Sequence, residues 1–144
     1  MKCSEVRTKI VDAIEAIDPQ NVQYTGDKFR HVPPGMEILG YDRQFQLQRD
    51  TPQSYSGISF GSADTLEVTF TLSVVYINTN APDFETRILD DGDDIVKALK
   101  VIEQVNDQIL TMEIQGANDL ETDDQGNRLC EWSLLARYDP REAT

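Results

Sequence analysis

The sequence predicts an α+β domain: an antiparallel β-sheet with an N-terminal helix and a second helix packed on one face, in the order α-β-β-α-β-β. Three observations carry that class. Apolar residues recur at three- and four-residue spacing at the start of the chain and again from residue 88, alternate with polar ones from 66 to 76, and never run long enough to cross a membrane. With 144 residues the chain is read as one domain, 1–144, since a body of this size typically buries about 68–70% of its unfolded surface around a single core.

Ser4 precedes Val6, Ile10, Ala13, Ile14 and Ile17, with Glu5, Arg7, Lys9, Asp12 and Glu15 between them. This is the apolar stripe of an amphipathic helix. Ser4 is the expected N-cap, and Asp18-Pro19 the expected stop, because a residue before proline is pushed out of the helical region. From Gln20 to Gly40 the chain is punctuated by Gly26, Pro33, Pro34, Gly35 and Gly40, which predicts a loop-rich connection with room for one short strand.

Tyr41, Arg43, Phe45 and Leu47 then alternate with Asp42, Gln44, Gln46 and Gln48, a strand with one wet face. Residues 50–64, DTPQSYSGISFGSAD, predict a long hairpin arm or loop. The strongest strand follows, with Leu66, Val68, Phe70, Leu72, Val74 and Tyr76 on one face and Glu67, Thr69, Thr71 and Ser73 on the other. Ile88, Leu89, Ile95, Leu99, Ile102 and Val105 mark the second helix, with Gly92 a candidate break and Asp90, Asp91, Asp93 and Asp94 placed near the start of its main segment, where the helix dipole favours anions. Leu110, Met112 and Ile114 form a short strand, and a turn-rich loop from Gly116 to Asn127 leads to a last strand with Cys130, Trp132, Leu134, Ala136 and Tyr138 on one face.

Charge narrows the function classes. Thirteen basic against 26 acidic side chains leave a net charge of -13, which argues against nucleic-acid or anionic-membrane binding, since both draw affinity from cation-rich surfaces. Residues 1–72 carry 7 basic and 10 acidic groups, net -3, and residues 73–144 carry 6 and 16, net -10. The expected partner is protein. The N-terminus lacks an apolar signal segment, which predicts a cytosolic site of synthesis, and Cys3 and Cys130 are too few for a disulfide framework and are expected as thiols.

Catalytic motifs do not assemble. His31 is the sole histidine, so any Ser-His-Asp or Cys-His arrangement must use it. Gly57-Ile-Ser59-Phe-Gly61 spells a nucleophile elbow, but its flanks are polar loop and then strand, whereas an elbow needs a strand before the serine and a helix after it. Gly35 and Gly40 have P-loop spacing, yet Tyr41-Asp42 stands where Lys and Ser or Thr should be. If Glu121 opened an EF-hand loop, Asp123 and Gly126 would fall correctly, but Trp132 would occupy the position of the bidentate carboxylate. Cys3, His31 and Cys130 are too scattered for a zinc knuckle. The Asp-rich segments are therefore read as solvated charge. No catalytic residue, metal ligand or cofactor is assigned.

The helix opening Ser4-Glu5-Val6-Arg7 to Ile10-Val11-Asp12-Ala13-Ile14-Glu15, the element order, and the terminal strand Trp132-Ser-Leu-Leu-Ala-Arg-Tyr138 resemble the tail-terminator (tail-completion) and related neck proteins of tailed bacteriophages. That resemblance implies a small acidic virion subunit, made in the host bacterial cytoplasm, that forms a ring, typically a hexamer, at the head-proximal end of the tail. There it would end tail-tube polymerisation and join tail to head, touching the tail-tube protein and a head-completion or neck protein while DNA passes through unbound. No enzyme activity and no membrane are implied. The expected subunit or partner contacts are Tyr55, Ile58 and Phe60 in the arm, with Arg87 and Asp90. Asp93, Asp94, Asp123 and Asp124 are the candidate acidic lumen or surface, which would repel DNA phosphates and let the genome slide. The alternative is a small acidic metal- or ligand-binding domain or enzyme built around the Asp-rich segments, which predicts a metal-dependent rise in Tm.

Overall fold

The computed structural model describes residues 1–19, 28–36, 41–55, 65–78, 82–121 and 126–141. The elements are α1 (Cys3–Glu15), β1 (Arg30–His31), β2 (Gln44–Arg49), β3 (Ser54–Tyr55), β4 (Leu66–Tyr76), α2 (Phe84–Val105), β5 (Ile109–Glu121) and β6 (Arg128–Tyr138). They form an α+β fold whose six-stranded sheet runs β1-β2-β4-β6-β5, with β3 paired to β4 beside that path.

The central strands are the ones whose alternation is cleanest. β4 and β6 pair antiparallel along their whole length, from Leu66 opposite Tyr138 to Tyr76 opposite Arg128. Their inward residues Val68, Phe70, Leu72, Val74, Leu134 and Ala136 are buried and meet Val6, Ile10 and Ile14 of α1 and Ile95, Leu99 and Ile102 of α2 in one core. Removing this apolar surface from water is the main driving force for the fold. Cys130 lies buried in the same core and forms no disulfide among the described residues.

Several expected details differ. The sheet is mixed rather than purely antiparallel, because β1 pairs parallel with β2; the dozen residues from 32 to 43 suffice for a parallel return. β3 pairs with Leu66–Glu67 and so closes the base of the expected arm, while the rest of that arm, from residue 56, lies outside the described residues. α1 begins before Ser4: Glu5 Oε2 accepts from the Lys2 backbone N–H at 3.1 Å, so a carboxylate one turn in, rather than the serine, secures the helix start. It also ends before the Asp18-Pro19 stop, with Ala16 as its C-cap.

α2 is continuous through Gly92. Asp90–Asp94 therefore sits in its interior, and the dipole at its N-terminus is too far away to favour the cluster, since that effect fades within the first turn. β5 runs on past Gly116 to Glu121, where the sequence reads as loop. Its register shifts between Ile109 and Thr111 and again between Ile114 and Gly116, so Leu110 drops out of the face shared by Met112 and Ile114. Such bulges bend and disrupt an edge strand.

Candidate functional site

The chemically densest part of the molecule is inside it. Arg43, Arg87 and Asp91 are all 0% exposed. Arg43 lies just before β2 in a left-handed backbone conformation, φ 61°, uncommon for a residue with a side chain. Two hydrogen bonds fix it there: its N–H donates to Val75 O at 2.7 Å, and its carbonyl accepts from Arg30 N at 3.1 Å. The guanidinium then reaches α2, donating from Nε to Asp91 Oδ2 at 2.7 Å and from Nη2 to Oδ1 at 3.1 Å. Tyr76 Oη donates to the same Oδ2 at 2.9 Å. A second pair abuts the first: Arg87 of α2 bonds Asp42 and donates to Ile77 O at 3.3 Å, and Asp42 Oδ1 accepts from Ile77 N at 3.0 Å. The Arg87 guanidinium sits 5.6 Å and 5.9 Å from the ring centres of Phe84 and Tyr76.

Burial pushes the Asp91 carboxyl above its ordinary pKa, against the pull of Arg43 and of the Tyr76 hydroxyl. Burial also acts against the charge on Arg43, but the bonds and charge of Asp91 outweigh it and hold the guanidinium above its usual value. Tyr76 is pushed well up, first by burial and then by the Asp91 charge. Perturbed groups of this kind commonly mark active sites. Here no solvent reaches Arg43, Arg87 or Asp91, so the cluster fastens the first half of α2 to β2 and β4 rather than meeting a substrate.

His31 is half-buried on β1 with its ring 5.4 Å from that of Phe45, and its Nε2 has no hydrogen-bond partner among the described residues. Burial lowers its pKa, and the nearby Glu15 and Arg7 charges act in opposite directions. Among the described residues, no three His, Cys, Asp or Glu side chains converge on a point that could hold a metal ion.

Two surface features lie on different sides of the sheet, one toward β5 and β6 and the other toward β2. On one side, α2 and the sheet leave a groove of about 340 Å³ between Leu89, Asp93 and Val96 on the helix and Ala117 and Trp132 on the strands. Leu89 is 64% exposed there, and on another flank of α2 Val101 and Val105 are also exposed, Val105 at 70%. On the other side, Lys2, Arg7 and Arg49 border a cleft of about 620 Å³ whose lining includes Pro34, Gln48 and Phe70 and, among the described residues, no carboxylate.

The sheet face away from the helices is polar. It carries Gln46, Thr71, Ser73 and Ser133, with Arg137 bonded to Glu67 at 3.2 Å and to Glu113 at 3.3 Å. β5 forms an edge, and Lys100 Nζ donates to Met112 O of that strand at 2.8 Å.

The site residues expected from sequence divide three ways. Arg87 is a correction: it is fully buried and its guanidinium is spent on Asp42, Ile77 and two aromatic rings within the subunit, so it does not reach a neighbour. Asp90 and Asp94 are half-buried on α2, and Asp93 is exposed. Tyr55 belongs to β3, whereas Ile58, Phe60, Asp123 and Asp124 lie outside the described residues. The reading of the Asp-rich segment as solvated charge fails at Asp91. The missed signal was phase: Arg87 and Asp91 share the helical stripe of Phe84, Ile88 and Ile95, and Arg43 alternates with Phe45 and Leu47.

No protein-family model matches the sequence. No curated protein matches it either. Among solved structures, the chain is similar to one described as "Virion of native gene transfer agent (GTA) particle", at 17% identity, with 77% of each chain covered and a TM-score of 0.44.

Proposed function

We propose that this chain is a structural virion subunit that forms a ring at the head-proximal end of a phage tail, where it ends tail-tube polymerisation and joins tail to head. The observation that carries this reading is the placement of apolar and ionic groups on α2. The helix keeps Arg87 and Asp91 inside and displays Leu89, Val96, Val101 and Val105 outside, the reverse of what a helix finished within one subunit requires. A contiguous apolar patch rimmed by polar groups marks a surface made for other proteins, and Leu89 and Val96 share one groove beside Trp132. The edge strand β5 and the arm beyond β3 offer further main-chain and side-chain contacts, by which strands add across subunits. Tyr55, Ile58, Phe60 and Asp90 are the contact residues of this reading. Asp93, Asp94, Asp123 and Asp124 supply its acidic lumen or surface, which repels DNA rather than holding it.

The test is direct. Light scattering behind a sizing column, with electron microscopy of the protein alone and with tail tubes, should show rings or capped tubes, and the protein should restore joining in a tail-assembly assay. A chain that neither assembles nor caps nor joins would end the proposal.

A further inference from the structure

We infer that the subunit associates head to tail, the basic cleft beside α1 receiving the acidic, apolar flank of α2 from a second copy of the chain. The inference deepens the ring reading and rests on it, because it names the joint between neighbours.

The two surfaces are complementary in charge. Lys2, Arg7 and Arg49 come from the start of α1 and the end of β2, are all exposed, and border one cleft whose lining holds no carboxylate among the described residues. Three cations in one place are unusual in a chain with 13 basic and 26 acidic groups. None of the three enters an ion pair with a carboxylate among the described residues, and Arg49 donates only to Gln53, at 2.9 Å. The facing surface is the α2 flank of Glu85, Leu89, Asp93 and Val96, where two exposed carboxylates bracket apolar side chains at helical spacing. Glu85 meets a cation only at 3.9 Å, from Arg128. Nucleic acid is a poor occupant of the cleft, because a chain of net charge -13 repels it at a distance.

They are also placed for a joint that propagates. The cleft lies on the β2–β4 side of the sheet, at Arg49 and Phe70, while the groove lies on the β6–β5 side, at Trp132 and Ala117. A contact between two different patches is heterologous, which yields a ring when its rotation closes and a filament when it does not. A two-fold dimer would need one self-complementary patch instead. The joint takes Asp93 for the interface, leaving Asp94, Asp123 and Asp124 for the passage.

The experiment is a charge swap read by sedimentation velocity, with circular dichroism to confirm that each variant folds. Arg7→Glu with Arg49→Glu, and separately Glu85→Lys with Asp93→Lys, place like charges across the joint. Each should weaken association about a hundredfold, roughly tenfold for each reversed residue. An equimolar mixture of the two variants should recover it, because every joint in an alternating assembly then joins opposite charges. Wild-type association should weaken with added salt.

Single variants that assemble as the wild type does, or a mixture that stays dissociated, would overturn the joint while leaving the ring reading in place. A wild-type chain that remains monomeric in solution would also overturn it, and the ring reading would fall with it only if the chain also fails to cap tail tubes. Inorganic phosphate that raises the Tm of the wild type but not of the Arg7→Glu, Arg49→Glu variant, without association, would reassign the cleft to a small anion and overturn the joint.

Discussion

The two helices lie on the same face of the same sheet and are built on opposite plans. α1 buries Val6, Ile10, Val11 and Ile14 and turns its charged side chains to solvent. α2 buries Arg87 and Asp91 among its apolar residues and turns Leu89, Val96, Val101 and Val105 outward. The first helix is completed by its own subunit. The second is fastened near its start by ions and leaves Leu89 and Val96 uncovered, and the proposed joint draws on that difference.

The contrast can be broken by weighing the two fastenings. Asp91→Ala strips the buried Arg43 of its carboxylate and the Tyr76 hydroxyl of its acceptor, and should cost about 3–5 kcal/mol, the usual penalty for breaking a buried pair; urea unfolding would measure it. Replacing both charges, Arg43→Met with Asp91→Leu, should recover much of that loss, because desolvation of the ions disappears along with their attraction. Ile10→Ala on α1 opens a cavity in a purely apolar contact, for about 3 kcal/mol. If Asp91→Ala proved the milder of the two single changes, the ionic fastening would be incidental and the contrast would fail.

Smaller effects sharpen the picture. Gly92→Ala should stabilise the protein by about 0.5–1 kcal/mol, the helix-interior cost of glycine. The added methyl would meet Trp132 Cζ2 at 3.9 Å, an ordinary contact. A rise in Tm would confirm that α2 is continuous; a fall would mean that the helix needs glycine's freedom there. The smallest expected effect belongs to His31, beside α1. Burial holds its pKa below the ordinary 6.5 in the folded chain, so the unfolded chain takes up the proton first. Stability is therefore full above about pH 6.5 and declines as pH falls below it. The drop in Tm from pH 7 to pH 5 should be larger in the wild type than in His31→Asn.

The parts of the fold that sequence reveals are those where local pattern and final environment agree. β4 and β6 alternate without interruption, and α1 keeps its apolar stripe. The pattern misleads where a partner element decides. Gly116, Ala117 and Asn118 have little preference for strand, yet they extend β5 because Ser133, Trp132 and Glu131 lie opposite them. Gly92 among four aspartates reads as a break, yet packing against the sheet and the Asp91–Arg43 bonds hold the helix through it. The ionic cluster was legible in phase, since its members repeat with their apolar neighbours, but residue type outweighed position. The basic cleft left no local trace, because Lys2 and Arg49 are brought together only by the fold.

The pairing of β4 with β6 also sets an order of events in time. Its closest partners, Tyr76 and Arg128, are 52 positions apart, whereas those of β5 and β6, Glu121 and Arg128, are seven apart. Closing the longer loop costs more chain entropy, so the local hairpin assembles early and the strand from the first half of the chain docks late. The bonds between Asp91 and Arg43 lie outside that hairpin and join α2 to the start of β2. They close only when α2 has packed against β2, and they then hold the helix that carries Leu89 and Asp93 in one position.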